Sequence, residues 1–136
     1  MRKLEPLLYK YGVDLYLSGH VHNYERMFDI YQSNSMKRKL NPPSTVYILV
    51  GNGGTNDNKD LSGFGTSPKQ AYTAFRDDTT YGYSRIAVYN STHLHWEQMK
   101  CNLNNPTSAA TVLDSFWLVQ FNHGSFFTKA PTVLPT

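Results

Sequence analysis

Cysteine is almost absent from the 136-residue sequence, with Cys101 as its single representative. One cysteine excludes an internal disulfide and any metal cluster built from several thiolates of this chain. Long apolar runs are also absent, since no uncharged stretch approaches the length of about 18 residues that a membrane-spanning helix needs. We therefore expect a chain that folds in water without covalent cross-links and has no membrane partner.

Charge is sparse, with 13 basic and 10 acidic side chains and a formal net charge of +3. The only dense basic cluster is MKRK at residues 36–39. We interpret it as a solvated loop and expect no nucleic-acid partner, because no repeated interleaving of aromatic and basic residues accompanies it. The composition, 40% hydrophobic and 14% aromatic, is typical of one globular body with a single core.

Two signals about the secretory route conflict. The N-terminal residues lack the apolar stretch of a signal peptide, because Glu5, Pro6 and Lys10 interrupt it. Residues 90–92, NST, nevertheless form a sequon with Asn90 as the candidate glycosylation site. Either the sequon arose by chance or the targeting segment belongs to sequence outside this chain.

The first segment has the apolar periodicity of a short helix. The residues at i, i+3, i+4 and i+7 are Leu4, Leu7, Leu8 and Tyr11. They predict one apolar stripe, and Gly12 follows where a left-handed helix cap would be needed.

A strand is predicted directly after this helix, at residues 13–18 (VDLYLS). Apolar residues on both of its faces predict burial between two layers. A helix that runs into such a strand is half of an α/β unit, and ligands of open α/β sheets bind beyond the carboxyl ends of the strands. His20 and His22 lie at that end.

His20 and His22 are the candidate metal ligands. Gly19 allows a tight turn before them, and their spacing places both imidazoles on one side if the segment is extended. Two such imidazoles could bind one metal ion or bridge two adjacent ions. Considered alone, the pair leaves a structural or surface role equally open.

The rest of the chain is predicted to be mostly strand and loop. STVYILVG, residues 44–51, has the pattern of a second buried strand, and a long irregular stretch follows from Thr55 to about Thr80. YSRIAVYNSTHLHWEQM, residues 83–99, predicts an antiparallel hairpin, and DSFWLVQF, residues 114–121, predicts a last strand.

A second pair of histidines, His93 and His95, lies in the middle of the predicted hairpin. No glycine turn accompanies it, and both residues fall on the polar face of the strand. We therefore interpret His93 and His95 as a solvent-facing pair and not as metal ligands. His123, beside Gly124, is expected in a turn or tail.

Several segments together resemble the purple acid phosphatases of the calcineurin-like metallophosphoesterase superfamily. LEPLLYKYGVDLYLSGHVHNYER, residues 4–26, is similar to the last metal-binding motif of that family, GHVHxYER with its preceding helix and strand. VYILVGNGG, residues 46–54, resembles the next strand and glycine loop, although Asn52 stands where the family usually has Asp. The stretches at 74–98 and 114–118 resemble its C-terminal hairpin and final strand.

This resemblance implies a fold, a site and an activity. The fold would be α/β: the C-terminal part of a metallophosphoesterase β-sandwich, with a short N-terminal helix and a mixed sheet that ends in an antiparallel hairpin. The family hydrolyses phosphate monoesters at an Fe(III) ion paired with a divalent Zn, Mn or Fe ion, held by Asp, Asp, Tyr, Asn and three His side chains. By position, His20 would bind the divalent ion and His22 the iron.

The family's other ligand motifs are missing from this sequence. No GDxxY or GNHE segment precedes the helix, and two imidazoles cannot hold a dinuclear centre. The resemblance therefore implies a C-terminal fragment whose partner is the missing N-terminal portion and whose isolated form is inactive. An alternative is a noncatalytic module that binds a partner or a single metal ion weakly. The parent protein would be secreted, vacuolar or lysosomal.

Within this fragment the sequence predicts four parts. Residues 1–54 would hold the helix, the histidine pair and two strands, and residues 55–82 a long loop. The antiparallel strands would occupy residues 83–121, and residues 122–136 would form a tail.

Overall fold

The computed structural model describes residues 3–54 and 68–128 of the chain. Its elements are one helix, α1 (Glu5–Tyr11), and seven strands: β1 (Leu15–Ser18), β2 (Tyr24–Ile30), β3 (Thr45–Val50), β4 (Thr73–Asp77), β5 (Gly82–Val88), β6 (His93–Lys100) and β7 (Thr111–Val119). The strands form a four-stranded sheet of order β1-β3-β2-β4 and a three-stranded sheet of order β5-β6-β7. The predicted combination of one short helix with a mixed sheet and an antiparallel hairpin is confirmed.

Helix α1 ends at Gly12, as the sequence predicts. Gly12 has φ 63° and donates its backbone N–H to the carbonyls of Leu8 and Tyr9. A Cβ at this position would lie 1.7 Å from the carbonyl oxygen of Gly124, so no larger residue fits even apart from the positive φ. Of the predicted apolar stripe only Leu8 is buried, where it packs with Ile30 and Tyr47.

Strands β1 and β3 pair in parallel, with Leu15 opposite Val46 and Leu17 opposite Ile48. The predicted burial of β3 is confirmed, since β3 lies inside the sheet. The predicted burial of β1 on both faces is wrong. β1 is the edge strand of its sheet, and the Leu17 side chain is 45% exposed.

Two strands of the first sheet, β2 and β4, were not predicted from the sequence. β2 pairs antiparallel with both β3 and β4. The charged residues of β2 conceal its strand pattern in the sequence. One of them, Asp29, is buried in the fold, where its carboxylate accepts hydrogen bonds from the backbone N–H of Met36 (3.3 Å) and Arg38 (3.2 Å). Strand β4 lies within the expected loop of residues 55–82; residues 55–67 lie outside the described part of the chain.

The second sheet is the predicted hairpin extended by β7. Ile86 pairs with Trp96, which pairs with Phe116, so these three side chains share one face. That face packs on the first sheet, where Trp96 and Leu118 join Tyr24 and other apolar residues in the buried core. Trp117 lies on the opposite face, as the alternation of the sequence predicts.

A hydrogen-bonded network joins the two sheets through Asp114 of β7. The Tyr24 hydroxyl donates to its Oδ2 (2.8 Å), and Arg26 donates from Nε (2.7 Å) and Nη2 (2.9 Å) to both carboxylate oxygens. Trp96 Nε1 donates in turn to the Tyr24 hydroxyl (3.2 Å). Burial, and then the adjacent Asp114 carboxylate, raise the pKa of Tyr24, so the phenol remains a donor at any physiological pH.

The inner faces of the two sheets are not fully covered. Leu17 on β1 shares a face with the buried Ile48, and on β5 Ile86 and Val88 share a face with the core residue Trp96, yet all three are exposed. Both strands are sheet edges. An open apolar strip therefore runs along the β1 and β5 edges, and we refer to Leu17, Ile86 and Val88 as the open strip.

The segment after β7 packs on the start of the chain as far as it is described. Gln120 donates to the Asp14 carboxylate (3.0 Å), and the backbone N–H of Phe126 donates to the Tyr9 carbonyl (3.2 Å). Phe126 itself is buried. Residues 122–128 of the expected tail are thus part of the folded body.

Within the described ranges no helix is long and apolar enough to cross a membrane.

We predict that Asp114→Ala lowers the free energy of unfolding by about 3–5 kcal/mol, because it leaves the guanidinium of Arg26 without its carboxylate partner where the Arg26 side chain is only 16% exposed. The control is Glu97→Ala, which removes the exposed pair with Arg85 and should cost no more than about 1 kcal/mol. Urea unfolding measures both values. Equal losses of unfolding free energy in the two variants would mean that the Asp114 network stabilises the fold no more than an exposed ion pair does.

Candidate metal site

The structure places His20 and His22 directly after the carboxyl end of β1, in the five-residue segment 19–23 that leads into β2. We refer to residues 19–23 as the histidine turn. His20 is exposed and His22 is half-buried. The position beyond the strand end is the one that the α/β pattern predicts.

The backbone of the histidine turn is not extended, so the condition under which the spacing would place both imidazoles on one side is not met. The Val21 N–H donates to the Gly19 carbonyl (3.0 Å), and the Asn23 N–H donates to the Val21 carbonyl (2.8 Å). Each histidine is therefore the central residue of a three-residue turn. His20 has φ 77°, the sign found in the rare and strained form of this turn, whereas Gly19 does not have positive φ.

Strain at a residue other than glycine persists only where the surroundings impose it, and such residues concentrate at functional sites. Here the surroundings include the end of β3. The Gly51 N–H donates to the Asn23 carbonyl (2.9 Å), and a Cβ on Gly51 would lie 1.7 Å from the Val21 carbonyl oxygen. The absence of a side chain at Gly51 thus allows β3 to support the histidine turn from behind. Sequence reasoning identified the glycine-rich loop but not this contact.

Asn52, the next residue, ties the same loop to the second sheet. Its side chain is fully buried; its Nδ2 donates to the Thr80 carbonyl (3.3 Å) and its Oδ1 accepts from Gln98 Nε2 (3.2 Å). Its backbone carbonyl accepts from the Gly82 N–H (2.9 Å). A carboxylate at this position could not donate to Thr80, so the amide suits these particular partners.

The donor chemistry of the histidine turn fits a metal ion that prefers imidazole, such as zinc or iron. It does not complete a site, since the described residues hold no group of three or more His, Cys, Asp and Glu side chains that could bind one ion. Metal sites with stable occupancy use about three or four protein ligands. What this chain contributes is therefore two imidazoles on a constrained turn.

The second pair of histidines has a packing role. The ring of His95 stacks on Trp117 with 4.6 Å between centroids, and His93 contacts Phe121 edge-on at 5.6 Å. The pair lies on the outer face of the sheet, opposite the core residue Trp96, where these rings half-bury both histidines. His123 is similarly engaged, with its Nδ1 lying 3.2 Å from the Asp14 carboxylate.

Asn90 lies exposed in the turn between β5 and β6. Its Oδ1 accepts hydrogen bonds from the Thr92 N–H (2.9 Å), the Thr92 hydroxyl (2.8 Å) and the His93 N–H (2.9 Å). The carbonyl side of the amide thus holds the turn together. The amide nitrogen, to which a glycan would be attached, is not used in these three contacts.

Comparison with known proteins supports the resemblance seen in the sequence. Residues 44–115 match the family described as iron/zinc purple acid phosphatase-like protein C. Acid phosphatase type 7 of Danio rerio is 37% identical over 126 residues, which cover 89% of this chain and 26% of that protein. Probable purple acid phosphatase 20 of Arabidopsis thaliana is 36% identical over 85% of this chain and 24% of its own length.

A solved structure agrees with these sequence matches. Purple acid phosphatase PPD1 from yellow lupin seeds (Lupinus luteus) superposes with a TM-score of 0.71 at 26% identity. The superposition covers 98% of this chain but only 23% of the lupin chain. The chain thus spans about a quarter of the length of the relatives that it matches.

We predict that His20→Gly is more stable than His20→Ala by about 1 kcal/mol, because alanine retains a Cβ at φ 77° and glycine does not. The matched control is His22, whose φ is not positive, so His22→Gly should be less stable than His22→Ala. Denaturant unfolding of the four variants gives the comparison. The same order at both positions would contradict the strained turn.

Proposed function

Since this chain belongs to the purple acid phosphatase family, we propose that it supplies His20 and His22 to a dinuclear metal centre that hydrolyses phosphate monoesters, the other ligands coming from an N-terminal portion of the same protein. The observation that carries the proposal is the strained turn at His20, supported by Gly51 at the carboxyl end of β1. Strained backbone conformations cluster at ligand-binding sites, and here the strain coincides with a pair of potential metal ligands.

The two histidines have distinct roles in this proposal. His20, exposed at the outer part of the turn, would hold the divalent ion, and the half-buried His22 would hold iron. A pair of bound metal ions polarises phosphate oxygens and lowers the pKa of bound water. The contribution of this chain is to fix the direction of both imidazoles before substrate binds, through the hydrogen bonds of residues 19–23 and their contact with Gly51.

We further propose that the isolated chain is inactive. It spans about a quarter of its relatives, and two imidazoles are fewer ligands than even one catalytic metal ion uses. The open strip, with Leu17, Ile86 and Val88 on sheet edges, provides the surface on which the N-terminal portion would dock. Apolar side chains on the inner faces of two sheets are the usual interior of a larger sandwich.

The parent protein would follow the secretory route to the outside of the cell or to a vacuole or lysosome. The exposed position of the Asn90 side chain, in the turn between β5 and β6, supports this proposal. Asn90→Gln should then remove the mass of one glycan from the protein isolated from its native cell. Intact-mass spectrometry that finds Asn90 unmodified throughout would contradict the proposed routing.

The principal test uses the full-length parent, which an in-frame GDxxY and GNHE upstream of the Met1 codon would identify. We predict that His22→Ala abolishes bound iron and that His20→Ala mainly depletes the divalent ion, with activity falling by orders of magnitude in both because both ions act on the phosphate. Elemental analysis and phosphomonoester turnover measure these effects. The 136-residue chain alone should show only background turnover.

Two kinds of control separate ligands from structural residues. His93→Ala and His95→Ala should leave metal content intact, because those rings pack on Trp117 and Phe121. Gly51→Ala should displace the histidine turn and reduce metal content without removing a ligand, whereas Gly53→Ala should have little effect, since its Cβ would approach no atom more closely than 3.9 Å. Metal-dependent hydrolysis by the short chain, abolished by His20→Ala, would overturn the proposal. Stop codons throughout the upstream region would favour the noncatalytic module.

A further inference from the structure

A cleft of about 690 Å³ opens between β2, β4, the loop before β3 and the outer edge of β7. Its volume is within the range of about 300–1,000 Å³ that is typical of small-molecule sites. Neither the histidine turn nor Gly51 contributes to its lining. The cleft is formed by this chain alone and is separate from the candidate metal site.

One wall of the cleft is aromatic and belongs to the second sheet. Phe116, Trp117 and His95 line it. The Trp117 side chain is 45% exposed, and His95 stacks on it at 4.6 Å between centroids. The Trp117 ring also contacts Tyr89 at 5.0 Å between centroids, and a planar ligand ring could pack on the part of Trp117 that remains exposed.

The backbone of β7 adds polar groups along the same wall. The Val119 carbonyl accepts from the Asn41 N–H (2.8 Å), which shows that Val119 directs its backbone away from β6. Alternation along an antiparallel strand then directs the backbone N–H and C=O groups of Ser115 and Trp117 outward as well. Both residues line the cleft.

The loop beside β7, which is joined to that strand by the bridge between Leu40 and Val119, carries positive charge from the basic cluster. Arg38 and Lys39 line the cleft, and neither makes an ion pair within residues 3–54 and 68–128. The third cation of the lining, Arg26, is neutralised by Asp114, and the buried Asp29 carboxylate is occupied by backbone N–H groups. Two cations, Arg38 and Lys39, thus face one carboxylate, Asp29, whose oxygens are already engaged by backbone N–H groups, so the charge of the cleft is net positive.

We propose that this cleft binds a small aromatic anion, a planar ring carrying a carboxylate, sulfonate or phosphate group. The ring packs on Trp117, and the charged group lies between the Arg38 guanidinium and the Lys39 ammonium. Such a site would give a function to the basic cluster, which takes no part in the candidate metal site. It does not depend on the proposed phosphatase activity, because it shares no residue with the histidine turn.

The test follows the indole N–H resonances of the 136-residue chain by NMR during titration with naphthalene-2-sulfonate. The chain has two tryptophans, of which Trp96 is 1% exposed and outside the cleft and Trp117 is 45% exposed within it. We expect a saturable shift of the Trp117 resonance with little change at Trp96. The neutral analogue naphthalene-2-methanol should bind about tenfold more weakly or worse, because it lacks the charged group.

The double variant Arg38→Gln with Lys39→Gln should weaken sulfonate binding by about tenfold or more while leaving the neutral analogue unaffected. It retains the backbone contact of residue 38 with Asp29, so the loop should keep its fold. The control variant Lys3→Gln with Lys10→Gln removes the same charge from outside the cleft and should leave the affinity for both compounds unchanged. Equal affinity for the charged and neutral compounds, an unaffected double variant, or a shift without saturation would each overturn the proposal.

Discussion

The carboxylate of Asp114 is the buried acceptor through which β2 of the first sheet is hydrogen-bonded to β7 of the second. It accepts hydrogen bonds from Tyr24 and Arg26, which lie 90 and 88 residues earlier in the chain. Tyr24 is the first residue of β2 and follows the histidine turn without a gap. A contact in the core therefore holds the residue that follows the histidine turn, although it touches neither imidazole.

The histidine turn is held at three points that differ in chemistry. Tyr24 anchors its end by a buried hydrogen bond, β1 fixes its start through pairing with β3, and Gly51 supports its middle through close backbone contact. A turn so constrained can keep a residue such as His20 in a conformation that a free peptide would leave. The candidate metal ligands thus lie on a rigid scaffold, which is how binding geometry is kept before a ligand arrives.

The parts of the fold that could be predicted from sequence are those whose cause is local. The end of α1 could be predicted because a helix cap needs the positive φ that Gly12 supplies, whereas the close approach of Gly124 to Gly12 could not. The β5–β6 hairpin follows from the alternation of its own residues. β2 was missed because Arg26 and Asp29 resemble loop residues until their distant partners are known. The pair His20 and His22 was identified by its motif, but its turn geometry was not, because Gly51 imposes that geometry from another strand.

The close approach of Gly12 to Gly124 has a consequence for the order of events during synthesis. The end of α1, Asp14 and Tyr9 all contact residues 120–126, and the contact between Asp14 and Gln120 spans 106 residues. While the ribosome is still translating the region before residue 120, the helix has no surface to complete its packing. Contacts of such large sequence separation form late and slowly, since a long loop must close first. The contacts of α1 with residues 120–126 are therefore among the last to form, and until then a chaperone could bind the apolar residues of α1.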